Sequence, residues 1–268
     1  MVMNKIDKQL REIKNAQKLA IMTHVIVGYP SLEKTVSIVK TMEQSGVDFV
    51  ELQIPFSDPI ADGPVIMHAC EESLAHGTKV ADAFDVVKQL SSEVSIPLLF
   101  MAYFNTVFTY GVEKFCNDAK NVGVSGLIVP DMPIEEEDSE QLAYFAKKNN
   151  LYLIRVIAPV TTNRRLLKNA RVSEGFVYCS ARQGTTGIRN ELDPGLSNYL
   201  HNVKTYFSCP IAVGFGISRK KHLEMLQSHA DIAVIGSAIV SIIGKSEHED
   251  IEKKVARFLK SLGVKSKK

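Results

Sequence analysis

The stretch LAIMTHVIVGYPSLEKTVSIVKTMEQSGVDFVELQI, residues 19–54, contains two short apolar runs separated by a segment with the periodicity of a helix. Residues 19–27 and 49–54 are rich in aliphatic side chains, as the buried strands of parallel sheets are. Between them, apolar residues return at intervals of three and four, and Gly46 stands where a left-handed helix end is expected. The stretch therefore predicts a strand–helix–strand unit with a parallel, right-handed crossover.

The same alternation continues along the rest of the chain. Six more apolar runs are flanked by helix-like segments, at 97–103, 126–130, 152–158, 176–181, 210–215 and 232–237. Eight such units without a linker rich in Pro, Gly or Ser predict an α/β fold, a closed (βα)8 TIM barrel that forms a single domain over residues 1–268. An extra N-terminal helix is predicted at about 3–16, and a basic C-terminal tail at about 263–268.

Composition argues against several classes of protein. With 32 Lys+Arg against 30 Asp+Glu, the net charge is +2, which gives the whole chain no strong attraction to nucleic acid or to a membrane surface. The chain opens on a polar, amphipathic segment and has no run of 18 apolar residues, so neither a signal peptide nor a membrane span is predicted. A cytoplasmic protein is expected.

Cysteine and histidine spacings predict no metal site. The four cysteines lie far apart without a CxxC pair, which predicts reduced thiols: Cys70, Cys116, Cys179 and Cys209. The seven histidines form no HxH or HExxH pattern, and most fall on helix-like segments where surface positions are expected.

A single carboxylate is out of place in the second predicted strand. Because side chains alternate along a strand, Glu51 shares one face with Phe49 and Gln53, while the aliphatic residues take the opposite, helix-facing side. In (βα)8 barrels the chemistry lies at the C-terminal ends of the strands, so Glu51 is predicted to point into the barrel mouth. A carboxyl group enclosed there suits a proton donor and acceptor near neutral pH. The alternative is a structural Glu at an edge or with satisfied partners.

Two aspartates follow in the loop PFSDPIADGP, residues 55–64. Asp58 is expected to shape the loop by bonding to nearby backbone N–H groups, as Asp commonly does in turns. Two interpretations of Asp62 remain: it is a second carboxylate of the site, or it starts the next helix.

Glycines cluster after the last three predicted strands, at 184–187, 214–216 and 236–237. Backbone N–H groups exposed by glycine next to a helix start form an anion site, and this region of barrels frequently binds phosphate. The pattern predicts a phosphate site, with tight turns as the alternative.

Several ordered motifs resemble one known family, the alpha subunit of tryptophan synthase, between residues 21 and 243. ELQIPFSDPIADGP at 51–64 is the most specific of them. The others are GYP at 28–30, MAYFN at 101–105, DMPIEE at 131–136, Y-x-x-x-R-x-G-x-T-G at 178–187, GFGIS at 214–218 and GSAIV at 236–240.

The resemblance implies a (βα)8 lyase that splits indole-3-glycerol phosphate into indole and glyceraldehyde 3-phosphate. It implies that Glu51 donates the proton to the indole C3 carbon and also serves in the hydroxyl step. Asp62 is implied as the acceptor of a hydrogen bond from the indole N–H, and Tyr178 as the tyrosine beside the catalytic Glu. The phosphate is then expected on backbone amides near Gly187, Gly216, Gly236 and Ser237.

The resemblance also implies a lid and a partner. The loop RQGTTG, which contains Arg182, Gly184 and Thr186, resembles a mobile lid in which Thr186 reaches toward Asp62. The loop 55–62 resembles the surface that docks on the tryptophan synthase beta subunit in an alpha2beta2 assembly, through Pro55, Asp58 and Pro59. That partner holds pyridoxal phosphate and receives the indole, whereas no cofactor is implied in this chain.

One departure from the family pattern concerns the site itself, because Gln53 stands where glycine is common. Its amide is expected to hydrogen-bond Glu51, to alter how that group holds its proton, or to narrow the pocket. The chain therefore keeps an alternative function, that of a weakly catalytic or non-catalytic subunit that binds and activates the beta subunit. Another phosphate-binding barrel isomerase of the same pathway would explain the glycine loops but not the segment 51–64.

Overall fold

Eight parallel strands close into a barrel in chain order, each paired with the next and the eighth with the first. The computed structural model describes residues 3–180, 195–214, 216–246 and 250–266, apart from the side chain of Asp138. The strands are β1 Ala20–Ile26, β2 Phe49–Gln53, β3 Leu98–Met101, β4 Gly126–Ile128, β5 Tyr152–Ile157, β6 Val177–Ser180, β7 Ile211–Gly214 and β8 Ile232–Ile235. The predicted (βα)8 barrel is confirmed, with each strand shorter than its apolar run.

Helices pack around this barrel, and the three crossovers between β2 and β5 hold more helical segments than the predicted one. In the described part of the chain they are α1 Lys5–Ala16, α2 Leu32–Gln44, α3 Pro64–Ala75, α4 Val80–Glu93, α5 Phe104–Tyr110, α6 Val112–Val122, α7 Glu137–Glu140, α8 Leu142–Lys148, α9 Asn163–Val172, α10 Leu196–Tyr206, α11 Lys220–Leu226, α12 Ser237–Gly244 and α13 Ile251–Ser261, with a 3-10 turn at Ile134–Glu136. Gly77 and Gly111, with φ of 84° and 94°, divide two of the crossovers, because a left-handed residue ends a helix.

The register of β1 and β2 decides which side chains face the barrel interior. Met22 pairs with Phe49, His24 with Glu51, and Ile26 with Gln53. Phe49 belongs to the cluster of buried side chains inside the barrel, whereas the intervening aliphatic residues of β2 pack between sheet and helices. Glu51 therefore faces inward, as alternation along the strand predicts.

Helix α1 closes the N-terminal end of the barrel, as its predicted place before the first strand allows. Ile6 and Ile13 pack into the interior cluster. Asn4 caps the helix through Oδ1 and donates from Nδ2 to the carbonyl oxygens of Ser125 and Asn150, at 2.9 and 2.8 Å, just before β4 and β5 begin. The buried end of the barrel is thus filled by side chains, and the opposite end, where the strands finish, carries the polar residues.

Candidate active site

Glu51 lies buried on the inward face of β2 beside a histidine on the neighbouring strand. Nδ1 of His24 is 2.9 Å from Oε1 of Glu51, and the two residues are 4% and 3% exposed. Burial by itself lowers the pKa of His24, but the charge and hydrogen bond of Glu51, together with the charge of Asp62 and the Gln53 amide, outweigh it and leave the pKa raised above 6.5. The contact with Glu51 therefore favours the protonated form of the His24 ring.

Asp62 is the second buried carboxylate, in the loop that follows β2, and it is held by two donors. Nε2 of Gln53 donates to Oδ2 at 2.8 Å, and the hydroxyl group of Tyr103 donates to the same oxygen at 2.9 Å. Nε2 of Gln53 also lies 3.5 Å from the sulfur of Cys70. The expected hydrogen bond from Gln53 to Glu51 is therefore replaced by one to Asp62, because Gln53 lies one strand repeat nearer the mouth.

Tyr178 completes the inner wall on β6, where it packs with the interior cluster. Burial raises its pKa well above 10, and the carboxylates of Glu51 and Asp62 raise it further, so the phenol stays protonated. A Cβ added to Gly214 would lie 2.5 Å from the Tyr178 hydroxyl group. The ring therefore needs the glycine on β7 to occupy its place.

Backbone groups suited to an anion lie after β7 and β8. Gly216 has a φ of 71°, a conformation that favours glycine, and Gly236 precedes α12, which begins at buried Ser237. The first turn of α12 carries no acidic residue that would compete with an anion for its N–H groups. The Cβ of His24 lies within 3.6 Å of the position that a Gly236 Cβ would take, so this corner adjoins the carboxylates. The arrangement can bind a phosphate at one side of the pocket, and the carboxylates at the other side can transfer protons.

Four of the expected site residues lie outside the part of the chain that the structure describes. They are Arg182, Gly184, Thr186 and Gly187.

The loop 55–62 joins the site to the surface. Pro55 and Pro59 are buried, whereas Asp58 is exposed and Ile60 is 76% exposed. The Tyr103 hydroxyl group, which donates to Asp62, accepts the backbone N–H of Ala61 at 3.0 Å. The Tyr103 hydroxyl group therefore couples the position of the loop backbone to that of the Asp62 carboxylate.

Sequence reasoning missed two residues that the structure brings to the site, His24 and Tyr103. Most of the seven histidines were expected at the surface, but His24 is buried in β1 and His222 in α11. The available signal was the position of His24 within an apolar run, because a polar residue in a buried strand needs a partner. Tyr103 is the middle residue of the run MAYFN at 101–105 and carried no such signal in the sequence.

Two further observations concern metal-binding groups and membrane-spanning helices. Within the described ranges, no three His, Cys, Asp or Glu side chains group together in a way that would hold a metal ion. None of the helices in those ranges combines the length and apolar character needed to cross a membrane.

Comparison with known sequences matches nearly the whole chain. A family profile described as "Tryptophan synthase alpha chain" matches residues 10–267. The tryptophan synthase alpha chain of Desulfotalea psychrophila is 43% identical over 257 residues, which is 96% of this chain and 99% of that one. The corresponding chain of Caldanaerobacter subterraneus subsp. tengcongensis is 41% identical and covers 97% and 98%.

Solved structures agree with the sequences. A structure of Mycobacterium tuberculosis tryptophan synthase superposes with a TM-score of 0.89 at 27% identity, covering 99% of this chain and 100% of that chain. The tryptophan synthase alpha chain from Legionella pneumophila gives 0.87 at 31% identity, covering 97% and 96%. The chain belongs to the tryptophan synthase alpha chain family, whose alpha subunit is a carbon–carbon lyase that cleaves indole-3-glycerol phosphate.

Proposed function

We propose that Glu51 and Asp62 carry out the cleavage of indole-3-glycerol phosphate in this chain, with Tyr178 lining the pocket between them. The observation that carries this proposal is the pair of buried carboxylates at the C-terminal mouth of the barrel, 3% and 4% exposed. A barrel seldom encloses two carboxylates unless the position has a use, since desolvating such groups is costly.

Glu51 moves the protons of the reaction. It donates a proton to C3 of the indole ring, so that a C–H bond forms and the ring becomes an electron sink. The hydroxyl group on the adjacent glycerol carbon then loses its proton to the carboxylate, and that carbon becomes a carbonyl. The C3–glycerol bond breaks, its electron pair returns to the ring, and the proton count is unchanged. One group positioned to act as acid and then as base supports both halves of this sequence.

Asp62 stabilises the intermediate charge. Protonation at C3 places positive charge on the ring nitrogen, and a carboxylate that accepts the N–H hydrogen bond is most favourable at that stage. The bonds from Gln53 and Tyr103 both go to Oδ2, and we assign the indole N–H to Oδ1.

The phosphate of the substrate is proposed to lie on the backbone N–H groups near Gly216, Gly236 and Ser237, together with Gly187. The start of α12 supports this placement through the N–H groups of its first turn and its positive end. We further propose that Arg182, Gly184 and Thr186 belong to a lid over the bound substrate.

A partner subunit completes the proposal. The loop 55–62 is proposed to dock on a tryptophan synthase beta subunit in an alpha2beta2 assembly, and pyridoxal phosphate belongs to that partner. The loop is accessible to such a partner, because the side chains of Asp58 and Ile60 are both exposed. A cytoplasmic location is included in the proposal and is supported by four cysteines without a disulfide.

The experiment that tests the proposal measures indole release from indole-3-glycerol phosphate by the purified chain, alone and with a tryptophan synthase beta subunit. We expect cleavage in both conditions and a faster rate with the partner. No cleavage in either condition, with the beta reaction still accelerated, would favour the non-catalytic subunit instead.

Replacement of Asp58 by Ala is expected to weaken docking while leaving cleavage by the isolated chain unchanged. Asp58 is exposed and its carboxylate contacts Ser57 at 2.5 Å. We expect about 5–10-fold more beta subunit to be needed for half-maximal activation, the size typical of one interface side chain. Asp85→Ala removes an exposed carboxylate on α4 and serves as the matched control. Equal titration curves for the two variants would remove Asp58 from the interface.

Gln53 gives the weakly catalytic alternative its specific support, because its amide takes up space beside the site and donates a hydrogen bond to Asp62. Gln53→Gly is expected to raise kcat/KM for indole-3-glycerol phosphate by about tenfold, or about 1.4 kcal/mol, since it opens space and removes a hydrogen bond that partly offsets the negative charge of Asp62. Gln53→Met removes the donor but keeps the volume, and so separates these two effects. A lower kcat/KM in the glycine variant, measured at about pH 6, would show that the amide assists cleavage.

A further inference from the structure

The partner of Glu51 is set by strand register and not by a flexible loop. His24 and Glu51 are directly paired on β1 and β2, and both face into the barrel. On its other side, β1 pairs with β8, whose following glycine, Gly236, lies against the His24 Cβ. The imidazole is therefore held between the strand that carries the acid and the corner proposed for the phosphate.

One ring nitrogen of His24 contacts Glu51, and the other has no hydrogen-bond partner among the described residues. Nδ1 lies 2.9 Å from Oε1 of Glu51. Nε2 is buried without a hydrogen-bond partner in the described part of the chain, and so is Oε1 of Gln53. Gln53 lies two residues beyond Glu51 on the same inward face of β2. A neutral imidazole has one N–H donor, whereas an imidazolium has two. An imidazolium keeps a donor at Nδ1 toward Glu51 and adds a second donor at Nε2, in the buried region that also contains the unpartnered Oε1 of Gln53.

The charges around His24 point in the same direction. The titratable groups of the described residues that act on it are Glu51 on β2 and Asp62 in the following loop, and both favour the protonated ring. Tyr178, on β6, faces the same two carboxylates but stays neutral. Gly236, which follows β8, contributes only backbone beside the His24 side chain.

We propose that His24 is a positioning residue that fixes Glu51 and stores the proton that Glu51 delivers to the substrate. This inference rests on the proposed role of Glu51. In the proposed resting state the pair carries one proton, and that proton lies on the His24 ring. Transfer of that proton from Nδ1 to Oε1 breaks an N–H bond, forms an O–H bond, and leaves a neutral ring beside a carboxylic acid.

The stored proton returns within the same turnover. The carboxylic acid gives its proton to C3, and the substrate hydroxyl group later restores one proton to the carboxylate. His24 recovers it through the same 2.9 Å contact, so no proton is gained or lost. A carboxyl group without this neighbour would have to hold its own proton, which an ordinary carboxyl group does only under more acidic conditions than a histidine.

The test compares the pH dependence of kcat/KM in the wild type and in His24→Asn, with the beta subunit present. Asn keeps an N–H donor near the position of Nδ1 but does not titrate. Activity of the wild type should fall as pH rises through the raised pKa of His24, because the stored proton is lost there. In the variant we expect the fall to begin at least about 1 pH unit lower, with rates within about threefold at pH 5.5 and about tenfold or more apart at pH 7.5.

Three outcomes separate this inference from the assignment of Glu51. An equal loss of kcat/KM at all pH values would indicate that His24 has only a structural role. A pH profile identical to that of the wild type would exclude His24 as the store of the proton. Activity retained in Glu51→Gln would overturn the proposed function itself, whatever His24 does. His24→Phe, which removes the donor, is a second variant in case the Asn variant unfolds, and the same shift of the profile is expected.

A readout that needs no activity is the titration of the His24 ring by NMR, with the resonance assigned by its loss in His24→Asn. We expect a pKa above 6.5 in the wild type, which falls below that value in Glu51→Gln, because burial then acts without the opposing carboxylate. A His24 pKa that does not change in Glu51→Gln would contradict the pairing.

Discussion

Glu51→Gln is expected to lower the rate of indole-3-glycerol phosphate cleavage by about 10³-fold or more, the range that a positioned acid–base group contributes. The substitution keeps the shape of the side chain and its place beside His24 on β1. It removes the group that can hold and release a proton, so neither the protonation of C3 nor the deprotonation of the hydroxyl group has a catalyst. Indole release by the purified variant, with and without the beta subunit, measures the effect.

Glu51→Gln should lose cleavage activity without losing the ability to fold or to dock on the beta subunit. Glu51 lies inside the barrel, while the loop 55–62 that we assign to the partner lies beyond the strand end. Thermal unfolding and activation of the beta subunit should therefore stay close to those of the wild type. A variant that still cleaves at a rate within tenfold of the wild type would exclude Glu51 as the proton donor.

Asp62→Asn is expected to reduce turnover by about 10²-fold, which is the usual result of removing one electrostatic contact from a transition state. An amide still fits beside Gln53 and Tyr103, but it carries no charge to balance the protonated indole ring. Most of the change should appear in kcat, since the charge develops only as C3 is protonated. Steady-state kinetics at saturating substrate checks this.

Tyr103→Phe is the matched control for the second carboxylate. It deletes one hydrogen bond to Oδ2 of Asp62 and one from the Ala61 N–H, yet leaves the charge in place. We expect a loss of less than about tenfold, in keeping with one buried hydrogen bond of about 1 kcal/mol. If the tyrosine variant loses as much as Asp62→Asn, the geometry of the loop and not the charge of Asp62 limits the rate.

The architecture was predictable because it repeats. Alternation of side chains along a strand depends only on local geometry, so the inward direction of Glu51 and the outward direction of Leu52 followed from the sequence. Eight repetitions of strand and helix left few other topologies. The division of a crossover by Gly77 depends on a single backbone conformation and was not predicted.

The hydrogen-bond partners inside the site were not predictable in the same way. Gln53 lies two residues beyond Glu51, about 6.6 Å farther along the strand, and so its amide reaches the loop carboxylate Asp62 instead. The contact between His24 and Glu51 depends on the register of two strands that are 27 positions apart in the chain. Local patterns tell which way each residue points, whereas register between strands is fixed by the packing of the whole barrel.

Helix α1, which fills the N-terminal end of the barrel with Ile6 and Ile13, also affects the electrostatics of the mouth. Beneath Glu51 lie hydrocarbon and the aromatic rings of Phe49 and Phe176, whose centroids are 5.8 Å apart. Such surroundings have a low local dielectric constant, so the attraction between the imidazole and the carboxylate is much less attenuated than it would be in water. The first helix, far from the reacting atoms, thus helps to determine how firmly the site holds its proton.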